Sequence, residues 1–418
     1  MKATPKGNRL HIGIFGRRNV GKSSLLNAIT NQQVSIVSEI AGTTTDPVEK
    51  PMELLPLGPV LFIDTAGVDD EGAIGEMRVK RTREVLDRTD LALLVAESGA
   101  WGAFENMMLT ELTQRRIPLI VVFNKADLGQ PDPELLEQLG KQEVTCVKCV
   151  ASTREGILDL REALIFAVPE ELLKTPPILS DLVPPGELAV LVVPIDLEAP
   201  KGRIILPQVQ TIRDALDNDS ICLVLKETRL AGGLARLNRP PALVVTDSQA
   251  FERVNRDTPP DVPMTSFSIL FSRLKGDLTE LTRGALEIGN LKPGDPVLIA
   301  ESCTHHPVED DIGRIKIPRL LTRKVGGPLE ISWVRGHDFP SDLQRYRLVI
   351  HCGSCMFNRR ELLSRILHCR MAGVPVTNYG MAIAFCLDTL ERAMSMFPDA
   401  AALVREHFAS HGSVEARK

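Results

Sequence analysis

Gly16-Arg17-Arg18-Asn19-Val20-Gly21-Lys22-Ser23 lies between an apolar run, His11–Phe15, and a helix-forming one, Lys22–Thr30. A glycine-rich loop in that setting turns its backbone N–H groups onto phosphates, and the helix N-terminus adds partial positive charge. Gly16 and Gly21 permit the wrap and Lys22 reaches the terminal phosphates. The Ser23 hydroxyl takes a Mg2+ position, with Ser24 beside it. Asp64-Thr65-Ala66-Gly67 ends a second apolar run, placing a carboxylate beside the metal and Gly67 where the backbone senses a γ-phosphate. Asn124-Lys125-Ala126-Asp127 ends a third. The Asp127 carboxylate accepts two hydrogen bonds from a guanine edge, which adenine cannot supply. The chemistry is GTP and GDP binding with Mg2+.

A second constellation lies far downstream. Cys303-Thr304-His305-His306 follows the aliphatic run Val297–Ala300, and His351-Cys352-Gly353-Ser354-Cys355 follows Arg347–Ile350. Both groups sit at the carboxyl ends of expected strands, where ligands gather in an open parallel sheet. Cys352 and Cys355 have a metal-chelating separation, and Gly353 and Ser354 allow the tight turn that aims both sulfurs one way. Four-coordinate zinc and an iron–sulfur cluster on three cysteines both fit these residue types. An isolated histidine is more often a hydrogen-bonded residue than a ligand, so His306 and His351 are expected at most to orient one. Cys146, Cys149, Cys222, Cys369 and Cys386 lie in apolar runs and read as buried small hydrophobes. Alternation along a strand would point Cys146 and Cys149 to opposite faces.

Positioning these residues requires α/β architecture. Val60–Asp64, Leu91–Ala96, Leu119–Asn124 and Glu143–Val150 alternate with helical patterns through Gly156–Phe166, which predicts a mostly parallel sheet. Proline-rich Thr175–Gly186 reads as a linker. Leu188–Ile195, Ile221–Leu225 and Ala242–Thr246 predict a small α/β unit with a helix at Leu206–Leu216. After Asp257–Pro263, strands are expected at Ser266–Leu270, Pro296–Ala300, Glu330–Val334, Tyr346–His351 and Pro375–Asn378, with helices at Arg359–Arg370 and Met381–Met396. The expected domains are 1–174, 184–262 and 263–400.

The bulk properties agree with this division. A chain of 418 residues exceeds one ordinary core. No run of about 18 apolar residues occurs and Met1–Leu10 is short and basic, so a cytoplasmic protein without membrane contact is expected. The formal net charge of -5 lacks the footprint of a general nucleic-acid binder. Eight cysteines in such a chain read as core residues, ligands or redox thiols before disulfides.

The nucleotide set resembles the translation-factor-like GTPases, particularly the group typified by the tRNA-modifying GTPase MnmE and by Era. Ala41-Gly42-Thr43-Thr44-Thr45-Asp46 is similar to that group's first switch, which implies Thr44 as the Mg2+-binding threonine with Thr43 its neighbour. Asn19 matches the P-loop asparagine of potassium-activated members, in which K+ replaces an arginine finger. Val68-Asp69-Asp70 carries no water-orienting glutamine, so slow, cation-dependent hydrolysis is implied, with Lys22, Asn19, Thr44 and Gly67 acting in it. Val150-Ala151-Ser152 resembles the fifth base-contacting element but carries Val150 where serine is usual, leaving a backbone contact from Ala151.

Over essentially the whole chain, this GTPase pattern followed by a small α/β segment and Cys-x-His…His-Cys-x-x-Cys resembles the HydF family, the maturation GTPases of [FeFe]-hydrogenase. The resemblance implies a [4Fe-4S] cluster on Cys303, Cys352 and Cys355, with His305 a weak or exchangeable fourth ligand. It further implies a homodimer through the middle domain, a scaffold for the di-iron subcluster, and the hydrogenase apoprotein and other maturation enzymes as partners. Nucleotide state would then control docking. Arg314, Lys316, Arg319, Arg323, Lys324, Arg359 and Arg360 could hold an anionic cluster or cargo, but read first as solvated charge. The competing reading is a tRNA- or ribosome-associated GTPase with a structural zinc domain.

Overall fold

Strand-forming aliphatic runs separated by capped helices build every sheet of the computed structural model, which describes residues 4–30, 47–65, 81–169, 172, 176–194, 204–302, 311–354 and 356–415. The chain divides into two units, Met1–Thr175 and Pro176–Lys418.

In the first unit the strands are β1 (Leu10–Phe15), β2 (Val48–Leu54), β3 (Gly58–Asp64), β4 (Leu91–Glu97), β5 (Leu119–Asn124) and β6 (Thr145–Lys148), in the order β2-β3-β1-β4-β5-β6. β2 runs antiparallel to β3 and the remaining pairs are parallel. The helices are α1 (Lys22–Thr30), α2 (Ala103–Gln114), α3 (Pro133–Lys141) and α4 (Ile157–Ala167). Alternation along the strands splits the core between the sheet's two faces. Ile12, Ile14, Leu93 and Val122 pack with Leu25, Leu26, Leu160 and Leu164, whereas Phe15, Ile63, Leu94 and Phe123 pack with Met108 and Leu112. Cys149 joins the first group and Cys146 the second, so the two thiols lie on opposite faces.

The second unit repeats one topology twice. β7 (Leu188–Val192), β8 (Ile221–Leu225), β9 (Leu243–Thr246) and β10 (Met264–Ser266) form a parallel sheet in the order β8-β7-β9-β10. Its helices are α5 (Leu206–Asp217), α6 (Leu230–Leu234), α7 (Phe251–Asp257) and α8 (Phe267–Lys275), and α9 (Leu278–Leu286) follows. β11 (Pro296–Glu301), β12 (Glu330–Arg335), β13 (Leu348–His351) and β14 (Val376–Asn378) form a second parallel sheet in the order β12-β11-β13-β14. Its helices are α10 (Ile317–Val325), α11 (Arg359–Met371) and α12 (Tyr379–Cys386), and α13 (Leu390–Met394) and α14 (Pro398–Glu415) close the chain. In both sheets the order reverses between the first and third strands, and the fourth strand runs directly into a helix capped by its last residue. The Ser266 hydroxyl accepts from the Ile269 N–H at 3.2 Å and the Asn378 side chain from the Met381 N–H at 2.8 Å.

Three sequence expectations change here. Ser266–Leu270 is not a strand. Buried Phe267, Leu270, Phe271 and Leu274 fall on one helical face, and the Ser266 cap starts α8. Thr175–Gly186 is not a free linker, since Ile178, Leu179 and Val183 are buried in the second unit's core. Asp214 Oδ2 accepts from the N–H groups of Ile178, Leu179 and Ser180 at 2.8–3.2 Å, standing in for the carbonyl acceptors that a helix would have offered them. Met381–Met396 is two helices, because Asp388 takes a left-handed φ of 56° between them.

Candidate functional site

The phosphate loop is set by its φ angles and by contacts from three strands. Gly16 and Gly21 have φ of 155° and 92°, and a Cβ on Gly16 would lie 2.3 Å from the Val95 carbonyl oxygen. Asn19 also takes a left-handed φ, 62°, which asparagine tolerates better than most residues. Lys22 is buried, and its Nζ donates to the carbonyls of Gly16 at 2.8 Å and Arg17 at 2.7 Å. It therefore sits inside the loop where phosphate oxygens would be received. Arg17 Nε donates to Glu105 Oε1 at 2.7 Å, tying the loop to α2.

Ser23 and Asp64, the residues expected to bind Mg2+, meet where β3 ends and α1 begins. Ser23 Oγ donates to Asp64 Oδ2 at 2.7 Å, while buried Asp64 Oδ1 has no hydrogen-bond partner among the described residues. Burial raises the Asp64 pKa, and Ser23 and Lys22 oppose that rise. The Ser23 hydroxyl and the two oxygens of the Asp64 carboxylate are the hard oxygen donors that Mg2+ selects. Thr65 holds this end in place, its hydroxyl donating to the Ile14 carbonyl at 2.7 Å. The sequence assigns Thr65 no role, because a hydrogen bond to a carbonyl 51 residues away leaves no local signal.

The residues expected at the guanine base are organised around Asn124. Its Nδ2 donates to the Val20 carbonyl at 2.8 Å and its Oδ1 accepts from the Ala151 N–H at 3.1 Å. Asn124 thus staples the phosphate loop to the base-contacting loop. Lys125, with a left-handed φ of 58°, pairs with Glu97 at 2.9 Å, and Asp127 stands exposed beyond it. The Val150 departure has a local cause. Its side chain is buried and its backbone bridges to Glu155, so the position contributes core and a turn.

At the second sheet, β11 and β13 are neighbours across the point where strand order reverses, and their carboxyl ends bring Ser302 and Cys352 together. Cys352 donates its N–H to the Ala300 carbonyl at 2.9 Å, and its Sγ accepts from the Ser302 N–H at 3.0 Å with Ser302 Oγ at 2.9 Å. Hydrogen bonds to sulfur suit a thiolate ligand. Burial pushes the thiols of Cys369 and Cys386 up to about 12, which keeps them protonated.

His351 is closed off from ligation. Arg365 Nη1 donates to its Nε2 at 3.1 Å, so Nδ1 carries the proton and donates to the Cys352 carbonyl at 3.1 Å, with Ser354 Oγ at 3.0 Å. Burial, and then Arg365, push its pKa down to about 3. Arg365 lies over the Phe357 and Phe339 rings and pairs with Glu361.

Thr43, Thr44, Gly67, Val68, Cys303, His305, His306 and Cys355 lie outside the described residues. Among the described residues no group of three or more His, Cys, Asp or Glu is arranged to hold a metal ion. None of the described helices is long and apolar enough to cross a membrane.

Comparison with known proteins accounts for both units. Residues 11–125 match the GTPase model described as 50S ribosome-binding GTPase, residues 178–276 the hydrogen maturase F dimerization domain, and residues 279–396 the hydrogen maturase F tetramerization domain. The last two together span more than half of the chain. The chain belongs to the hydrogen maturase F family. Its first unit is a P-loop GTPase domain, which binds GTP with Mg2+ and hydrolyses it to GDP and phosphate.

That domain is 36% identical over 157 residues to the tRNA modification GTPase MnmE of Chromobacterium violaceum, covering 37% of this chain and 34% of that protein. GTPase Der of Wolinella succinogenes is 40% identical over 125 residues, covering 29% and 26%. The chain thus spans about a third of the length of the first curated relatives it matches. Among solved structures, the G domain of the T. maritima FeoB iron transporter aligns at TM-score 0.31 and 21% identity, covering 38% of this chain and 99% of that one. In this hydrogen maturase F chain, two oligomerization domains follow the GTPase, and the cysteine loop lies in the second.

Proposed function

We propose that this hydrogen maturase F chain is a cytoplasmic, GTP-hydrolysing scaffold for a [4Fe-4S] cluster. In this reading the cluster is bound by Cys303, Cys352 and Cys355, with His305 an exchangeable fourth ligand. The observation that carries the reading is Cys352, whose sulfur accepts from the Ser302 N–H and lies 2.9 Å from Ser302 Oγ at the carboxyl ends of β11 and β13. When bound, the cluster would supply iron chemistry for holding a di-iron precursor destined for the [FeFe]-hydrogenase apoprotein, with the other maturation enzymes as partners. The residues here orient it. Ser302 fixes one sulfur, and His351 and Arg365 fix the backbone that carries it.

The same reading makes the chain a homodimer through the middle sheet. β8 is that sheet's edge, all apolar, with Ile221 and Val224 about half exposed. A bare apolar edge of this kind pairs readily with another strand, and a second copy supplies one. Asn19, left-handed in the phosphate loop, supports potassium activation of hydrolysis.

Anaerobic purification with iron, sulfide and zinc analysis and EPR tests the proposal. A cluster signal lost in Cys303→Ala, Cys352→Ala and Cys355→Ala but kept in Cys222→Ala is the expected result. One colourless zinc per chain without iron would instead favour a ribosome- or tRNA-associated GTPase with a structural zinc domain.

A further inference from the structure

The cysteine loop is held from outside its own sheet. α8 leaves the carboxyl end of β10 in the middle sheet and packs against α11 and α12 of the next one. Its last residue, Lys275, is only 4% exposed. Lys275 Nζ donates to the carbonyl oxygens of Ser354 at 3.0 Å and Phe357 at 2.8 Å. These two carbonyls bracket Cys355 in sequence, and Ser354 itself is buried with a left-handed φ of 52°. The contact is reinforced from the loop side, where Arg359 Nη1 donates to the Leu274 carbonyl at 3.1 Å.

Lysine is among the residues least often buried, because its ammonium loses hydration. A leucine or methionine would fill the same volume at lower cost. A buried lysine whose donors go to two carbonyls of one short loop therefore has its position explained by that loop. Lys275 falls within residues 178–276, matched by the dimerization model, whereas the loop falls within residues 279–396.

We propose that Lys275 is a positioning residue for the cysteine loop, supplied by the dimerization segment: it fixes the Ser354 and Phe357 carbonyls and places a positive charge on the loop that would carry the anionic cluster. The electrostatic half rests on the cluster reading above, and the loop-fixing half does not. A nearby cation favours the reduced, more negative cluster, so Lys275 raises its reduction potential.

The test uses the full chain carrying Lys275→Met, Lys275→Gln or Lys275→Arg. In the metal-free protein, amide exchange is followed at Cys352 and Phe357, whose N–H groups bond to the Ala300 and Ser354 carbonyls. Lys275→Met is expected to speed exchange at Phe357 about tenfold while β11 and β13 stay protected, and Lys275→Arg to restore it. In the anaerobic holoprotein, Lys275→Met and Lys275→Gln should both shift the cluster's redox equilibrium about tenfold toward the oxidised form, ~59 mV for a one-electron couple. Lys275→Gln keeps donors without charge and should hold the loop better than Lys275→Met. If Lys275→Met loosens the whole second unit, Lys275→Gln and Lys275→Arg decide. Wild-type exchange and wild-type potential in the neutral variants would overturn the proposal. A wild-type chain that binds no cluster would overturn the cluster reading and the electrostatic half, while the exchange result still decides whether Lys275 sets the loop.

Discussion

Asp64 and Asn124 divide the nucleotide site between charge and geometry. Among the described residues, Asp64 keeps one buried oxygen unpartnered beside Ser23, so its value lies in what it offers a cation. Asp64→Asn should lower GTP turnover roughly 100-fold, about 2.7 kcal/mol of transition-state stabilisation, without unfolding the domain. Single-turnover hydrolysis with circular dichroism as control measures this, and unchanged turnover would remove Asp64 from the metal site. Asn19 is tested separately. Turnover should be at least about tenfold faster in potassium than in sodium, and Asn19→Ala should erase the difference. Equal rates in both salts for the wild-type chain would reject cation activation.

Two strands carry element-scale consequences. Glu49 on β2 lies between Lys6 and Arg88, its 2.6 Å contact to Arg88 being well formed. Burial pushes its pKa up, but hydrogen bonds and charge from Lys6 and Arg88 outweigh that and bring it to about 2. A carboxylate depressed from 4.5 to about 2 stabilises the fold above 4.5, and this contribution is lost as pH falls through 2. Glu49→Gln should therefore flatten the acid-side loss of melting temperature of the GTPase unit between those values, and a parallel pair of curves would contradict the assignment. At the edge of the middle sheet, Val224→Lys places a charge on β8. It should weaken self-association at least about tenfold, ~1.4 kcal/mol, by sedimentation equilibrium. Unchanged association would move the dimer contact elsewhere.

The whole molecule has separate cores in its two units, one pair of clusters on the GTPase sheet and one continuous cluster through both later sheets. Calorimetry should resolve two unfolding transitions, and GTP with Mg2+ at 100 times its dissociation constant should raise only the first, by about 2.7 kcal/mol. Equal shifts in both would mean that nucleotide binding reaches the second core. The sequence by itself determined the GTPase domain, because the residues expected at phosphate, metal and base lie in short contiguous loops, with Gly16, Lys22, Asp64 and Asn124 at fixed places at or after strand ends. It also marked Cys352 as a candidate ligand, since Cys-x-x-Cys at a strand end is a local signal. Alternation placed Cys146 and Cys149 on opposite faces before any coordinates did. The Ser266–Leu270 run misled because a short apolar stretch fits strand and helix alike until a cap and a packing partner choose. Ser302, His351 with Arg365, and Lys275 with the Ser354 and Phe357 carbonyls were decided only in three dimensions. Their partners lie up to 82 residues apart, and a hydrogen bond between distant residues leaves no spacing in the chain to read.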